Sequence, residues 1–215
     1  LDHLQSRTPA PATSVVLSFD DGQQTLHDVA FPLLKEYGHR AVAFICPGLH
    51  RDAGDSQAAG GLCDWQQVQA MHDSGHVDFQ PHTDSHRYIP GWPKPLPLAG
   101  VDDQLVDRRR PEVSNLDADL SRAKQELDRR LNKHCKHMAF PQYDGTDEAI
   151  SIAGAIGYEG FWWGVLPGRP INRVGDPSDR IVRVSGEFVR RLPGDGRVSL
   201  ASILKTRYGG RFRRA

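Results

Sequence analysis

An α/β fold with a mainly parallel core is predicted by three features of the sequence. Strand-like and helix-like stretches alternate from about residue 15 to residue 163. One of them, Val15-Val16-Leu17-Ser18-Phe19, is apolar and runs straight into Asp20-Asp21-Gly22. It reads as a buried strand that delivers two adjacent carboxylates at its C-terminal end, where α/β folds place their sites. At 215 residues the chain has room for one sizeable domain, and it contains no apolar run long enough to span a bilayer. The alternation by itself fits a barrel or a wound sheet.

The elements follow in order. Residues 26–37 have helical spacing in Val29, Leu33 and Leu34, with Gly38 as a stop and Pro32 implying a break or kink. Ala41–Ile45 is a second strand, closed by Pro47-Gly48, and residues 54–61 are small and polar, so they form a loop. Asp64 is the N-cap of a helix carrying Trp65, Val68 and Met71. His76–Phe79 is a third strand. Pro90, Pro93, Pro95 and Pro97 then break any regular element across residues 87–114. Ser114 with Asp117 opens the clearest helix in a capping-box-like arrangement, and Leu116, Leu120, Ala123, Leu127 and Leu131 form its apolar stripe. Glu126 and Arg130 add an i,i+4 pair outside the stripe. His137–Phe140 is a strand, Thr146 caps a helix that ends at Gly157, and residues 158–163 are a last strand.

Two sets of residues carry chemistry. Asp20 and Asp21 repel one another, and a bound cation or a shared proton relieves the cost. His82 and His86, in Gln80-Pro81-His82-Thr83-Asp84-Ser85-His86, stand four apart just past a strand. If the two strands are parallel neighbours, Asp21, His82 and His86 form a two-histidine, one-carboxylate metal site with open positions. His72 and His76 have the same spacing, but one closes a helix and the other opens a strand, so they are read as structural. Cys46, Cys63 and Cys135 are odd in number and widely spaced, and they are read as buried thiols.

With these residues in place, Ser18-Phe19-Asp20-Asp21-Gly22 followed by His82-Thr83-Asp84-Ser85-His86 resembles the first two motifs of the NodB-homology polysaccharide deacetylases, carbohydrate esterase family 4. The resemblance runs from about Ser14 to Val184. It implies a distorted (β/α) barrel with fewer than eight strands, spanning 13–184 within a single domain, 1–215. It implies removal of acetyl groups, mostly N-linked, from amino-sugar polymers such as chitin, peptidoglycan or poly-N-acetylglucosamine. Asp21, His82 and His86 would hold a divalent metal, zinc first, with cobalt, nickel, iron or manganese as alternatives. Asp20 would be the base. Phe140–Gly145 matches the family's third motif loosely: Pro141 and Tyr143 would line the substrate groove, and the amide of Tyr143 or a neighbour would face the oxyanion. Trp163 has two readings, part of an acetyl pocket or core packing. Residues 87–114 leave directly from the metal site and are expected to form a wall or lid, where Tyr88 and Trp92 would stack on sugar rings or pack the loop down.

Two departures from the family pattern matter. Phe140 stands where many members carry the arginine that orients the base, so the sequence leaves the partner of Asp20 unnamed. No histidine follows His137, whereas most members supply the catalytic acid from a late histidine. The acid is therefore expected at His3, upstream of Leu1 in a longer chain, or nowhere if the site is impaired. This second gap keeps a carbohydrate-binding module on the same fold as a rival reading. A small amide or imide hydrolase is the other.

The net charge is zero, yet residues 169–215 hold 12 of the 27 Lys and Arg and 4 of the 27 Asp and Glu. A basic extension, 185–215, would attract an anionic polymer or a membrane surface, or simply balance an acidic body. No nucleic-acid motif accompanies it, and no nucleic-acid partner is expected. The first residues carry no signal-peptide pattern, whereas the family resemblance implies the cell envelope or secretion.

Overall fold

Six short strands, each followed in the chain by a helix or a loop, carry the fold of the computed structural model, which describes residues 14–55, 61–98, 101, 115–169, 171–184 and 199. They are β1 (Leu17–Asp20), β2 (Ala41–Ile45), β3 (Val77–Pro81), β4 (His137–Ala139), β5 (Gly160–Trp163) and β6 (Ile181–Val182). Two parallel sheets result, ordered β1-β2-β3 and β4-β5-β6. Side chains bridge the two seams between them. The His137 N–H on β4 donates to Gln80 Oε1 on β3 (3.0 Å), and Arg183, just past β6, reaches Asp20 at the end of β1 (2.5 Å). The arrangement is a distorted barrel of parallel strands, fewer than eight among the described residues, as the resemblance implies.

Side-chain direction alternates along the strands and separates two layers of core, so β2 is buried on both faces. Ala41, Ala43 and Ile45 of β2 and Phe79 of β3 face outward, against Val68, Met71, Leu127 and Leu131 on the surrounding helices. Val42 and Phe44 face the other way and meet Ala139, with Trp162 packed on them. This second cluster fills the space between the sheets.

The helices are α1 (Phe31–Glu36), α2 (Trp65–Asp73), α3 (Leu116–Leu131) and α4 (Asp147–Ile156). Asp64 and Gln67 form a reciprocal capping box on α2, and Thr146 accepts from the Ala149 amide on α4, as predicted. On α3, Leu120, Ala123, Leu127 and Leu131 are buried, and Arg130 meets Glu126 at 2.8 Å. Cys46, Cys63 and Cys135 are free, buried thiols.

Several expectations change. The first strand starts at Leu17, and among the described residues it is an edge strand that pairs with β2 alone. Val15 and Val16, predicted to be buried, are therefore 70% and 65% exposed. A π-helical turn, Leu26–Ala30, precedes α1. Its wider turn rotates the apolar face, so Leu26 and Leu34 point inward while Val29 and Leu33 face out. Pro32 then falls in the first turn of α1, where its missing N–H costs nothing. The N-cap of α3 is Asn115, whose side chain accepts from the Ala118 amide (2.8 Å), and Ser114 lies outside the described residues. Of the stretch 87–114, residues 87–98 fold into a turn closed by the Tyr88 amide on the Lys94 carbonyl (2.8 Å) and the Leu96 amide on the His86 carbonyl (3.1 Å). Residues 99–100 and 102–114 lie outside the described residues, as do His3 and all of the basic extension 185–215 but Ser199.

Candidate active site

The parallel pairing of β1, β2 and β3 brings both chemical motifs to one end of a sheet. β1 ends at Asp20, and the chain turns left-handed at Asp21 (φ 69°) and Gly22 (φ 69°). Gly22 is needed twice over: a Cβ there would lie 2.6 Å from the buried His50 ring and 2.8 Å from the Ile45 side chain. On β3 the ladder continues one residue further, with the His82 amide donating to the Ile45 carbonyl (2.7 Å). The segment then curls through Thr83 (φ 66°) to His86 (φ 51°), and the Thr83 hydroxyl accepts from the His86 amide (3.0 Å).

Three ligand atoms converge as a result. Asp21 Oδ1 lies 3.4 Å from His86 Nε2 and 3.8 Å from His82 Nε2. The ligand atoms of Asp21, His82 and His86 all fall within 4.8 Å of one another. His82 donates from Nδ1 to the Ala139 carbonyl (2.8 Å), and His86 turns its Nδ1 to the Leu96 carbonyl (3.3 Å). Each contact directs the Nε2 lone pair into the site. Asp21 Oδ1 is buried and accepts no hydrogen bond. Three lone pairs pointed at one space repel, and a divalent cation is the group that relieves them. The donor set therefore fits the metal that the sequence motif implies.

Asp20 sits beside this cluster with a different partner. Its Oδ1 accepts from Arg183 Nη1 at 2.5 Å, and its Oδ2 faces His82 Nε2 at 3.8 Å. The Arg183 guanidinium is held between the Phe44 and Tyr143 rings, 5.2 and 5.0 Å from their centroids. Burial alone pushes the Asp20 carboxyl up, but His82 and Arg183 outweigh it and hold it below the usual range. Asp21 moves the other way: burial, with the neighbouring charge of Asp20, raises it despite the pull of His82 and Arg183. Two adjacent acids thus acquire opposite tendencies from their surroundings.

The other predicted residues divide. Pro141 is buried and opens a short turn, Pro141–Tyr143, at the end of β4. Tyr143 is 38% exposed and stacks on Arg183, so it borders the site. Its amide donates to the Phe140 carbonyl (3.0 Å). Trp163 belongs to the outer layer: it meets Phe140 edge-on at 4.7 Å, and its indole N–H donates to the Asp179 carbonyl (2.8 Å). The acetyl-pocket reading gives way to packing, because strand alternation turns Trp162 inward, 5.3 Å from Phe44. Tyr88 donates from its hydroxyl to Asp144 (3.0 Å) and so ties the 87–98 turn to the loop after β4. His76 turns to the His39 carbonyl, and the His72/His76 pair joins no metal cluster among the described residues.

Sequence reasoning missed two residues. Arg183 was visible only as part of the basic stretch Arg180–Val184, and nothing local links it to a residue 163 positions earlier. Asp119 is fully buried on α3. Its signal was present: it stands three residues after Leu116 and four before Ala123, on the apolar stripe.

A family model described as polysaccharide deacetylase matches residues 7–161. A poly-beta-1,6-N-acetyl-D-glucosamine N-deacetylase of Staphylococcus epidermidis is 26% identical over 141 residues, 65% of this chain. The chain spans 44% of that protein's length over this match. Among solved structures, a de-N-acetylase from Aggregatibacter actinomycetemcomitans aligns with a TM-score of 0.63 at 25% identity, covering 85% of this chain and 74% of the other. IcaB from Ammonifex degensii shares the fold at 23% identity, with a TM-score of 0.63 over 95% of this chain and 76% of its own.

Proposed function

Because the chain belongs to the polysaccharide deacetylase family, we propose that it hydrolyses N-acetyl groups on an amino-sugar polymer or glycoconjugate, using a divalent metal. The observation that carries this reading is the convergence of Asp21 Oδ1, His82 Nε2 and His86 Nε2 beside a second carboxylate whose partner is an arginine. Asp21, His82 and His86 would hold the metal; zinc suits these ligands, as do cobalt, nickel, iron and manganese. When bound, the metal polarises the acetyl carbonyl and lowers the pKa of water from about 15.7 to about 7.

Asp20 is the base of this proposal. Arg183 occupies Oδ1, which leaves Oδ2, on the side of His82, to take the proton from water. The guanidinium keeps Asp20 ionised and fixes its direction. Pro141 and Tyr143 form one side of the groove, and the Tyr88–Asp144 hydrogen bond braces the other loop against it. The Staphylococcus epidermidis relative is a poly-beta-1,6-N-acetyl-D-glucosamine N-deacetylase, and that activity supports a glucosamine polymer as the substrate class.

The test is acetate release from N-acetylglucosamine oligomers, peptidoglycan and acetylated exopolysaccharide by the zinc- or cobalt-loaded chain, with Asp20→Asn as control. Release that disappears in the control supports the proposal. Preference for monomers over oligomers moves the assignment to a small amide hydrolase. Glycan and zinc binding without release moves it to a binding module.

A further inference from the structure

Resting on the metal-site reading above, we infer that Asp119 of α3 is a positioning residue that sets the spacing of His82 and His86. Its side chain is completely buried. It does not touch the cluster of ligand atoms. Instead it spends both oxygens on the segment between the two histidines: Oδ1 accepts from the Asp84 amide (2.8 Å) and Oδ2 from the Ser85 hydroxyl. Ser85 Oγ in turn accepts from Arg87 Nε (3.1 Å), and Arg122, one turn along α3 from Asp119, lies 3.3 Å from Asp84 Oδ2.

Two physical arguments support this role. A carboxylate buried on the apolar stripe of a helix is destabilising unless fully hydrogen-bonded, and packing alone would favour an apolar residue there. Both of its bonds go to the ligand loop, so the compensation exists only when that loop has this shape. Second, the loop is strained on its own account. Thr83 is β-branched and sits at φ 66°, with His86 at φ 51° three residues later, and such residues persist only where surrounding contacts over-determine them. The Thr83 hydroxyl fixes the His86 amide from inside the loop, and Asp119 fixes the two amino acids between from outside. The helix thereby acts on Nε2 positions that it never contacts.

The experiment is zinc titration calorimetry on the wild-type chain, Asp119→Ala, Asp119→Asn and Ser85→Ala, each with a thermal melt. Wild-type binding tests the metal reading; the ratio of each variant to wild type tests this one. Asp119→Ala is expected to weaken zinc affinity about 10- to 100-fold, the range for groups that orient metal ligands. Asp119→Asn, which keeps an acceptor for the Asp84 amide, should recover part of the loss. Ser85→Ala should lose several-fold with little change in melting temperature. An Asp119→Ala chain that melts lower but binds zinc as wild type overturns the inference. If that variant fails to fold, Ser85→Ala decides: weaker zinc binding at an unchanged melting temperature upholds the role, and unchanged binding removes it.

Discussion

Sheet β1-β2-β3 and sheet β4-β5-β6 meet at the same site but furnish it differently. From the first come Asp20, Asp21, His82 and His86, four ionisable side chains within two short stretches at the ends of β1 and β3, on either side of β2. From the second come the Ala139 carbonyl that orients His82, the Tyr143 ring, and Arg183 against Asp20. In the proposed mechanism the first sheet holds the reacting groups and the second aims them, and both would be required, because a base or ligand displaced by about 1 Å can lose about 10²-fold in rate.

The largest effect should come from the first sheet. His82→Ala removes a ligand and also empties the bond to Ala139, and acetate release is expected to fall to background with zinc binding lost in the same calorimetric titration. Asp20→Asn should keep zinc binding and lose about 10²- to 10⁴-fold in kcat, the contribution of a general base. The comparison sharpens at Arg183. Arg183→Ala should lower kcat by about 10²-fold with zinc affinity unchanged. Arg183→Lys should recover little, since an ammonium lacks the guanidinium fork and its stacking on Phe44 and Tyr143. Full kcat in Arg183→Ala would make the second sheet a scaffold only.

Smaller effects concern stability within the second sheet. Trp163→Phe should cost about 1 kcal/mol for the hydrogen bond to Asp179, read by urea unfolding, with KM unchanged. Loss of substrate affinity instead would restore Trp163 to the acetyl pocket. His137 on β4 is half-buried, and its Nδ1 lies 3.1 Å from the Trp162 indole nitrogen, whose N–H needs a lone pair there. Burial accordingly pushes its pKa down to about 4. The unfolded chain binds this proton near the ordinary value of about 6.5 and the folded chain only near 4. Stability from this group is complete above about pH 6.5 and is lost as the pH falls toward 4, by up to about 1.4 kcal/mol per pH unit. Urea titrations at pH 7.5 and 4.5 should show that loss, and His137→Gln should reduce it.

The motifs were legible because their partners are close in sequence or follow from strand parallelism. Asp20-Asp21-Gly22 and His82–His86 each lie at or just past the end of a strand; their strands are not the direct neighbours expected, since β2 lies between them, but all strands of one parallel sheet present their C-terminal ends on the same side. Helix caps at Asp64 and Thr146 were legible for the same local reason. The face of the segment before α1 was misjudged because a π turn changes the period that the apolar pattern is read against. Trp163 was preferred over Trp162 because alternation fixes that two neighbours face opposite ways without fixing which one faces in.

The sequence by itself determined the α/β class and the strand ends that carry the acids and histidines, since these follow from short-range periodicity and spacing; the proposed ligand set came from the family resemblance. Tertiary structure alone decided that Arg183 answers Asp20, that the Tyr143 amide is spent on Phe140, and that Asp119 reaches the histidine loop. Each of these depends on how strand ends and a helix are brought side by side. A salt bridge or hydrogen bond across 35 or 163 residues leaves no period in the chain; it is set by where closure of the fold places two charges.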